Sequence, residues 1–147
     1  ALLMTYPGVP SIFHGDEIGL GGTFGEDARR PMPWDKPETW DHDFFSETRA
    51  LISIRKSSDA ISRGGLRYIS EGQNHFAFIR ETEKEAVLAV IFKEAGNIKI
   101  DLAKFGFKAK GALYNFGCNM PSSSTSQSLT VKATSAGALI YNLSVIK

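Results

Sequence analysis

Gly8-Val9-Pro10-Ser11-Ile12-Phe13-His14-Gly15-Asp16-Glu17-Ile18-Gly19 is a short apolar run fenced by breakers. Gly8 and Pro10 end whatever precedes it, and Gly15 closes it. Between them, Ser11 to His14 is expected to run extended as a buried strand. Two carboxylates, Asp16 and Glu17, follow at once. A buried strand that delivers acids at its carboxyl end is how α/β barrels present polar side chains to a mouth.

Upstream, Ala1 to Tyr6 carries no initiator Met, no charged leader and no capping residue. It reads as the last turns of a helix whose beginning lies outside the sequence, since apolar residues at a raw end are costly to expose. Downstream, Ile18 to Gly25 is glycine-rich. No Gly-Lys-[Ser/Thr] ending follows, and the dinucleotide spacing fails at Phe24, so it reads as a loop and not as a phosphate cradle. Glu26-Asp27-Ala28-Arg29-Arg30-Pro31-Met32-Pro33-Trp34-Asp35 comes next. Its prolines fix an extended path.

Phe44 to Ser57 reads as a helix, with Phe44, Thr48, Leu51, Ile52 and Arg55 on one face. Asp43 is the expected N-cap, with Glu47 in the first turn. Gly64-Gly65 turns the chain, and from Leu66 the period drops from about 3.6 to 2. Strands are expected at Leu66 to Ile69, His75 to Thr82, Ala86 to Phe92, Ile98 to Leu102, Ala112 to Phe116, Leu129 to Ala133 and Ala138 to Val145. Ala86 to Phe92 is continuously apolar, as a strand buried on both faces should be. Ile98, Ile100 and Leu102 alternate with polar residues, giving one wet face. Pro121 to Ser128 is low in complexity and reads as an exposed hairpin loop. About seven short strands separated by glycine turns argue an antiparallel sandwich.

The chain has 147 residues, 42% of them hydrophobic and 22% charged, with a net charge of +1. That composition is ordinary for a globular protein. No basic patch or tail points to nucleic acid or an anionic membrane. No apolar run reaches the roughly 18 residues of a membrane span. The one cysteine, Cys118, forms no intramolecular disulfide and decides no compartment.

Leu3-Met4-Thr5-Tyr6-Pro7-Gly8-Val9-Pro10-Ser11-Ile12-Phe13-His14-Gly15-Asp16-Glu17-Ile18-Gly19 resembles the eighth-strand motif of the α-amylase family of glycoside hydrolases, with Gly8, Pro10, Gly15, Asp16 and Glu17 in register. Arg29-Arg30-Pro31-Met32 with Trp34-Asp35 is similar to the loop that follows in neopullulanase-like and cyclomaltodextrinase-like members. Ala50 to Gly64 follows the pattern of the last barrel helix. The resemblance implies a mainly β chain: an antiparallel, Greek-key β-sandwich over residues 65–147. It implies that residues 1–64 are the last strand and last helix of a catalytic (β/α)8 barrel.

The same resemblance implies a parent enzyme acting by a retaining mechanism on α-glucans: starch, maltodextrin, pullulan or cyclodextrin. It places Arg29 near the active-site mouth, where a guanidinium fork suits carboxylates and sugar hydroxyls. Asp16 and Glu17 are then expected at the same mouth, holding neighbouring side chains, and the three are the substrate-binding candidates. They are not a catalytic pair. A retaining glycosidase needs two carboxyl groups about 5–5.5 Å apart, and adjacent residues on an extended chain point to opposite faces. In the family the catalytic acids lie on the fourth, fifth and seventh strands, all upstream of Ala1, so no catalytic residue is expected here.

His14, His42 and His75 are too dispersed for a metal signature, and no cofactor is expected. His14 either lines a sugar subsite or fills space beside the core. Trp34, Trp40 and Tyr114 either stack on sugars or anchor the last helix to the sandwich. Two rival readings remain: a stand-alone carbohydrate-binding sandwich and a purely structural module. A barrel remnant without its neighbours leaves apolar edge to cover. Residues 1 to about 25 are therefore expected either to pack on the sandwich or to self-associate with another copy.

Overall fold

The structure, a computed structural model, describes residues 1–23, 27–119, 121 and 125–146. Residues 24–26 of the glycine-rich loop and 122–124 of the serine-rich loop lie outside the described residues. Three helices precede six strands: α1 (Leu2–Thr5), α2 (His42–Ser57), α3 (Asp59–Arg63), β1 (Gly65–Glu71), β2 (His75–Glu81), β3 (Ala86–Phe92), β4 (Gly96–Asp101), β5 (Phe107–Cys118) and β6 (Ser128–Val145). Short 3-10 turns lie at Asp16–Ile18, Asp27–Arg29, Pro37–Thr39 and Leu102–Phe105. The mainly β, antiparallel class expected from the sequence is what is observed.

One strand organises the sheet. β6 is 18 residues long and pairs antiparallel with three others. Its first part pairs with β4, its second part with β3, and β5 runs along its other edge. β3 and β4 meet β6 in one unbroken register: Phe92 faces Gly137, and Gly96 faces Ala133 four residues further along each chain. The two strands expected at Leu129 to Ala133 and Ala138 to Val145 are therefore one, and the described residues hold six strands. Thr134 to Ala136 resemble a turn in sequence, but they lie within β6, between the residues that pair with β4 and those that pair with β3. β5 is longer than expected because three register shifts let it follow β6 through Lys108-Lys110-Gly111.

Alternation along β3 creates two apolar layers. Leu88, Val90 and Phe92 face a large core with Ile79, Ile98, Ile100, Val131 and Leu139. Val87 and Ile140 face the opposite way, against Met4, Leu51, Ala60 and Ile61 of the helices. The sheet curls around the first core, and Arg67 of β1 bridges across it. Its guanidinium pairs with both Glu81 oxygens, donates to the Phe105 carbonyl at 3.3 Å and lies 5.8 Å from the Phe107 ring centroid.

The helical layer departs from the sequence reading in three places. Asp41, not Asp43, caps α2, accepting the Phe44 N–H at 2.8 Å, so the helix starts two residues earlier. Ser57-Ser58 does not simply end the helix. Ser58 caps a further short helix, α3, by accepting from Ile61 N–H. Glu85 in the β2–β3 hairpin then holds that cap, accepting from the Ser58 hydroxyl at 2.7 Å and Ala60 N–H at 3.0 Å. Finally, Ser11 to His14 is not a strand. A strand needs a ladder partner, and the backbone hydrogen bonds near this segment are local ones, such as Asp16 N–H to the Phe13 carbonyl. It runs irregularly into the Asp16–Ile18 turn. Gly15 there has φ of 92°, and an added Cβ would lie 2.7 Å from the Leu20 side chain.

Two arginines fasten the first residues to the rest. Arg80 on β2 is 2% exposed and donates to the carbonyls of Thr5 (2.8 Å), Gly64 (2.7 Å) and Gly65 (3.2 Å). Arg55 on α2 donates to those of Met4 (2.8 Å), Tyr6 (3.3 Å) and Gly8 (2.5 Å). Residues 4–8 are thus held against β2 and α2. Arg80→Met keeps the stem length and removes all three donors, leaving buried carbonyls unpaired. The expected loss is about 3 kcal/mol in urea unfolding, against a change within about 0.5 kcal/mol for the exposed Lys104→Met.

Candidate functional site

A groove of about 730 Å³ lies between α2 and the β5–β6 side of the sheet, with the first twenty residues as its third wall. Phe44, Glu47, Thr48 and Leu51 come from α2, because spacings of three and four put them on one helix face. Tyr114 and Phe116 come from β5, and Ile12, Asp16 and Glu17 from the segment between Pro10 and Leu20. The walls are largely apolar, and the polar groups are few.

Two of those polar groups interact. Glu47 accepts from the Tyr114 hydroxyl, and burial, that hydrogen bond and the adjacent carboxylate together hold the Tyr114 phenol well above the ordinary tyrosine range. Glu47 Oε2 is buried with no hydrogen-bond partner among the described residues. Sequence reasoning placed Glu47 only as a first-turn acid. The signal that would have exposed it is the i, i+4 spacing to Leu51 and the i−3 spacing to Phe44 on the groove face, which puts a carboxylate among apolar neighbours.

The three substrate-binding candidates are dispersed. Asp16 and Glu17 sit in the 3-10 turn, where both serve the backbone: Asp16 accepts from Phe13 N–H at 3.3 Å, and Glu17 from Gly15 N–H at 2.8 Å. Both also contribute to the groove wall. Arg29 ends the Asp27–Arg29 turn, is exposed, and has no ion pair or hydrogen bond among the described residues. It is not a groove residue. Its neighbour Arg30 is engaged, donating to the carbonyls of Asp27 and Gly21 and pairing with the Asp27 carboxylate at 3.4 Å. The Thr23 backbone N–H and Arg30 hold the Asp27 carboxyl below its usual range.

Trp40 packs edge-on against Phe45 of α2, with ring centroids 5.7 Å apart, and donates its indole N–H to the Pro33 carbonyl. Trp34 covers Trp40 at 5.8 Å and is 72% exposed. His14 is exposed and hydrogen-bonds the Arg30 carbonyl at 3.0 Å. Among the described residues no three His, Cys, Asp or Glu side chains cluster as metal ligands, and no helix is long and apolar enough to cross a membrane.

The Glu47–Tyr114 contact sets a measurable property. A raised phenol pKa means the unfolded chain loses its proton first as pH rises. The contribution to stability is therefore whole below about pH 10, the unfolded value, and declines above it. Glu47→Gln removes the carboxylate charge and is expected to bring the Tyr114 ionisation down, seen as earlier tyrosinate absorbance in an alkaline titration.

No protein-family model matches the chain. It is 36% identical over 90 residues to neopullulanase 2 of Thermoactinomyces vulgaris, covering 60% of this chain and 15% of that protein. The cyclomaltodextrinase of Geobacillus thermopakistaniensis is 31% identical over 90 residues, again covering 60% and 15%. The amylopullulanase of Thermoanaerobacter thermohydrosulfuricus is 29% identical over 116 residues, covering 71% and 8%. Among solved structures, a debranching enzyme of Nostoc punctiforme superimposes with a TM-score of 0.79 at 27% identity, over 96% of this chain and 29% of that one. The trehalulose synthase of Pseudomonas mesoacidophila MX-45, at 20% identity, shares the fold with a TM-score of 0.74. The chain therefore spans about 15% of the length of the first two curated relatives. By sequence and by fold, the chain is similar to parts of neopullulanase, cyclomaltodextrinase and amylopullulanase and of a debranching enzyme.

Proposed function

We propose that this chain is the carboxyl-terminal part of a longer glycosidase or transglycosidase that acts on α-glucans by a retaining mechanism. Residues 1–64 would be the end of its catalytic barrel and residues 65–147 its sandwich domain. The observation that carries the reading is the match to the Nostoc punctiforme debranching enzyme, which runs through the helices and the sheet alike and covers 96% of this chain. The names of the sequence relatives add the substrate class, pullulan and cyclomaltodextrin.

Within that reading the chain itself turns over nothing. Asp16 and Glu17 are held by their own turn, each accepting from a backbone N–H. Their part is to brace the Gly15–Gly19 turn at the cleft rim. Arg29 is the outward group at that rim, with its fork unoccupied, and its role is to meet substrate hydroxyls or an acid of the longer enzyme. The partner is a glucan oligosaccharide or polysaccharide. The sandwich holds the last helix in place through Leu51, Ile61, Val87 and Ile140.

The rival reading of a stand-alone carbohydrate-binding sandwich is tested on the same sample: maltoheptaose binding by the 147-residue chain, measured calorimetrically, would favour it. The chain is expected to release no sugar from starch, pullulan or maltodextrin. Turnover by a pure sample that Asp16→Asn or Glu17→Gln abolishes would overturn the proposal. In the longer enzyme, Arg29→Ala is expected to lower kcat/KM by the equivalent of about 1–3 kcal/mol with little change in Tm. A lower Tm with unchanged kinetics would make Arg29 a structural residue.

A further inference from the structure

Two arginines stand side by side at the rim, and the fold uses them differently. Arg29 ends the Asp27–Arg29 turn, exposed and without an ion pair or hydrogen bond among the described residues. Arg30 turns back on the chain. Its Nε donates to the Asp27 carbonyl at 3.0 Å and lies 3.4 Å from the Asp27 carboxylate, and its Nη2 donates to the Gly21 carbonyl. The same carboxylate accepts from the Thr23 N–H at 3.0 Å and from the Thr23 hydroxyl at 3.3 Å. On the other side, His14 Nε2 lies 3.0 Å from the Arg30 carbonyl. A carbonyl oxygen has no proton to give, so Nε2 carries the hydrogen and donates it.

Global stability does not account for this set. The Arg30 and Asp27 side chains are 50% and 41% exposed, and exposed ion pairs add little to folding. The contacts instead tie both ends of the turn that carries Arg29, one to Gly21 and Thr23 and the other to His14. We infer that Arg30 is a positioning residue for Arg29, and that with Asp27 and His14 it fixes the place from which Arg29 reaches a glucan hydroxyl or an acid of the longer enzyme. The inference rests on the substrate role proposed for Arg29. A guanidinium fork is selective only when its plane and origin are set, and a small misplacement weakens every contact it makes. The tandem pair is therefore unequal. Arg29 meets the substrate, and Arg30, turned toward Asp27 and Gly21, acts through it.

Backbone 15N relaxation on the 147-residue chain reads the clamp, and maltodextrin kinetics of the longer enzyme read its use. The order parameter at Arg29 is expected at about 0.85 in the parent chain and below about 0.6 in both Arg30→Met and Asp27→Ala, with the Tm little changed. In the longer enzyme, Arg30→Met is expected to raise KM about three- to tenfold with kcat within about twofold, and to add nothing in an Arg29→Ala background. Equal order at Arg29 in the parent and Arg30→Met chains overturns the inference whatever the kinetics. So do two losses in kcat/KM that add in the double variant, because Arg30 then acts without Arg29. Order lost in Arg30→Met, with kinetics that Arg29→Ala leaves unchanged, sinks the substrate role of Arg29 alone.

Discussion

A buried guanidinium holds the two halves of this molecule together. Arg80 lies on a strand whose other face is in the main core, yet its own side chain points among the helices and is 2% exposed. No carboxylate is among its partners in the described residues. Its charge is met by three backbone carbonyls: the end of α1, and the Gly64-Gly65 link between α3 and β1. Burial, then the nearby Arg55 charge, pushes its pKa down, but an arginine remains charged in any folded protein. Charge-assisted hydrogen bonds are about twice as strong as neutral ones, and these offset the desolvation. Gly64 makes that approach close enough: a Cβ there would collide with the carbonyls of Ala60 and Glu81.

The second constraint is the length of β6. The ladder to β4 before its serine-alanine-glycine stretch and the ladder to β3 after it belong to one strand and keep one register. β3, β4 and β5 are all ordered by that strand, and the curl of the sheet brings β1 near the start of β5, where Arg67 bridges the gap. The helical layer then rests on the outer face of β3 and β6, and the groove is what remains between that layer and the sheet.

Physical chemistry separates the groove from the rim. The groove is largely apolar, with Asp16, Glu17 and Glu47 as its carboxylates. The Asp16–Ile18 and Asp27–Arg29 turns are polar, and they present Arg29 to solvent.

Much of this was legible in the sequence. The alternation of Ile98 and Ile100, the unbroken apolar run of Ala86 to Phe92 and the helical face around Leu51 each follow from local periodicity, which depends only on side-chain spacing. The motif residues from Gly8 to Glu17 carry the resemblance to α-amylase-family enzymes. What the sequence could not reveal were the features set by partners far along the chain. Ser11 to His14 has the composition of a buried strand but no ladder to join. Thr134 to Ala136 has the composition of a turn but stays within one strand. Asp41 wins the α2 cap over Asp43 because its carboxylate reaches the Phe44 N–H from an extended backbone. Arg80 reads as a polar residue in a strand, and only the folded chain brings Thr5, Gly64 and Gly65 around it. Local spacing determined which residues are apolar together. The tertiary structure decided which backbone groups find partners, because that depends on contacts up to 75 residues apart.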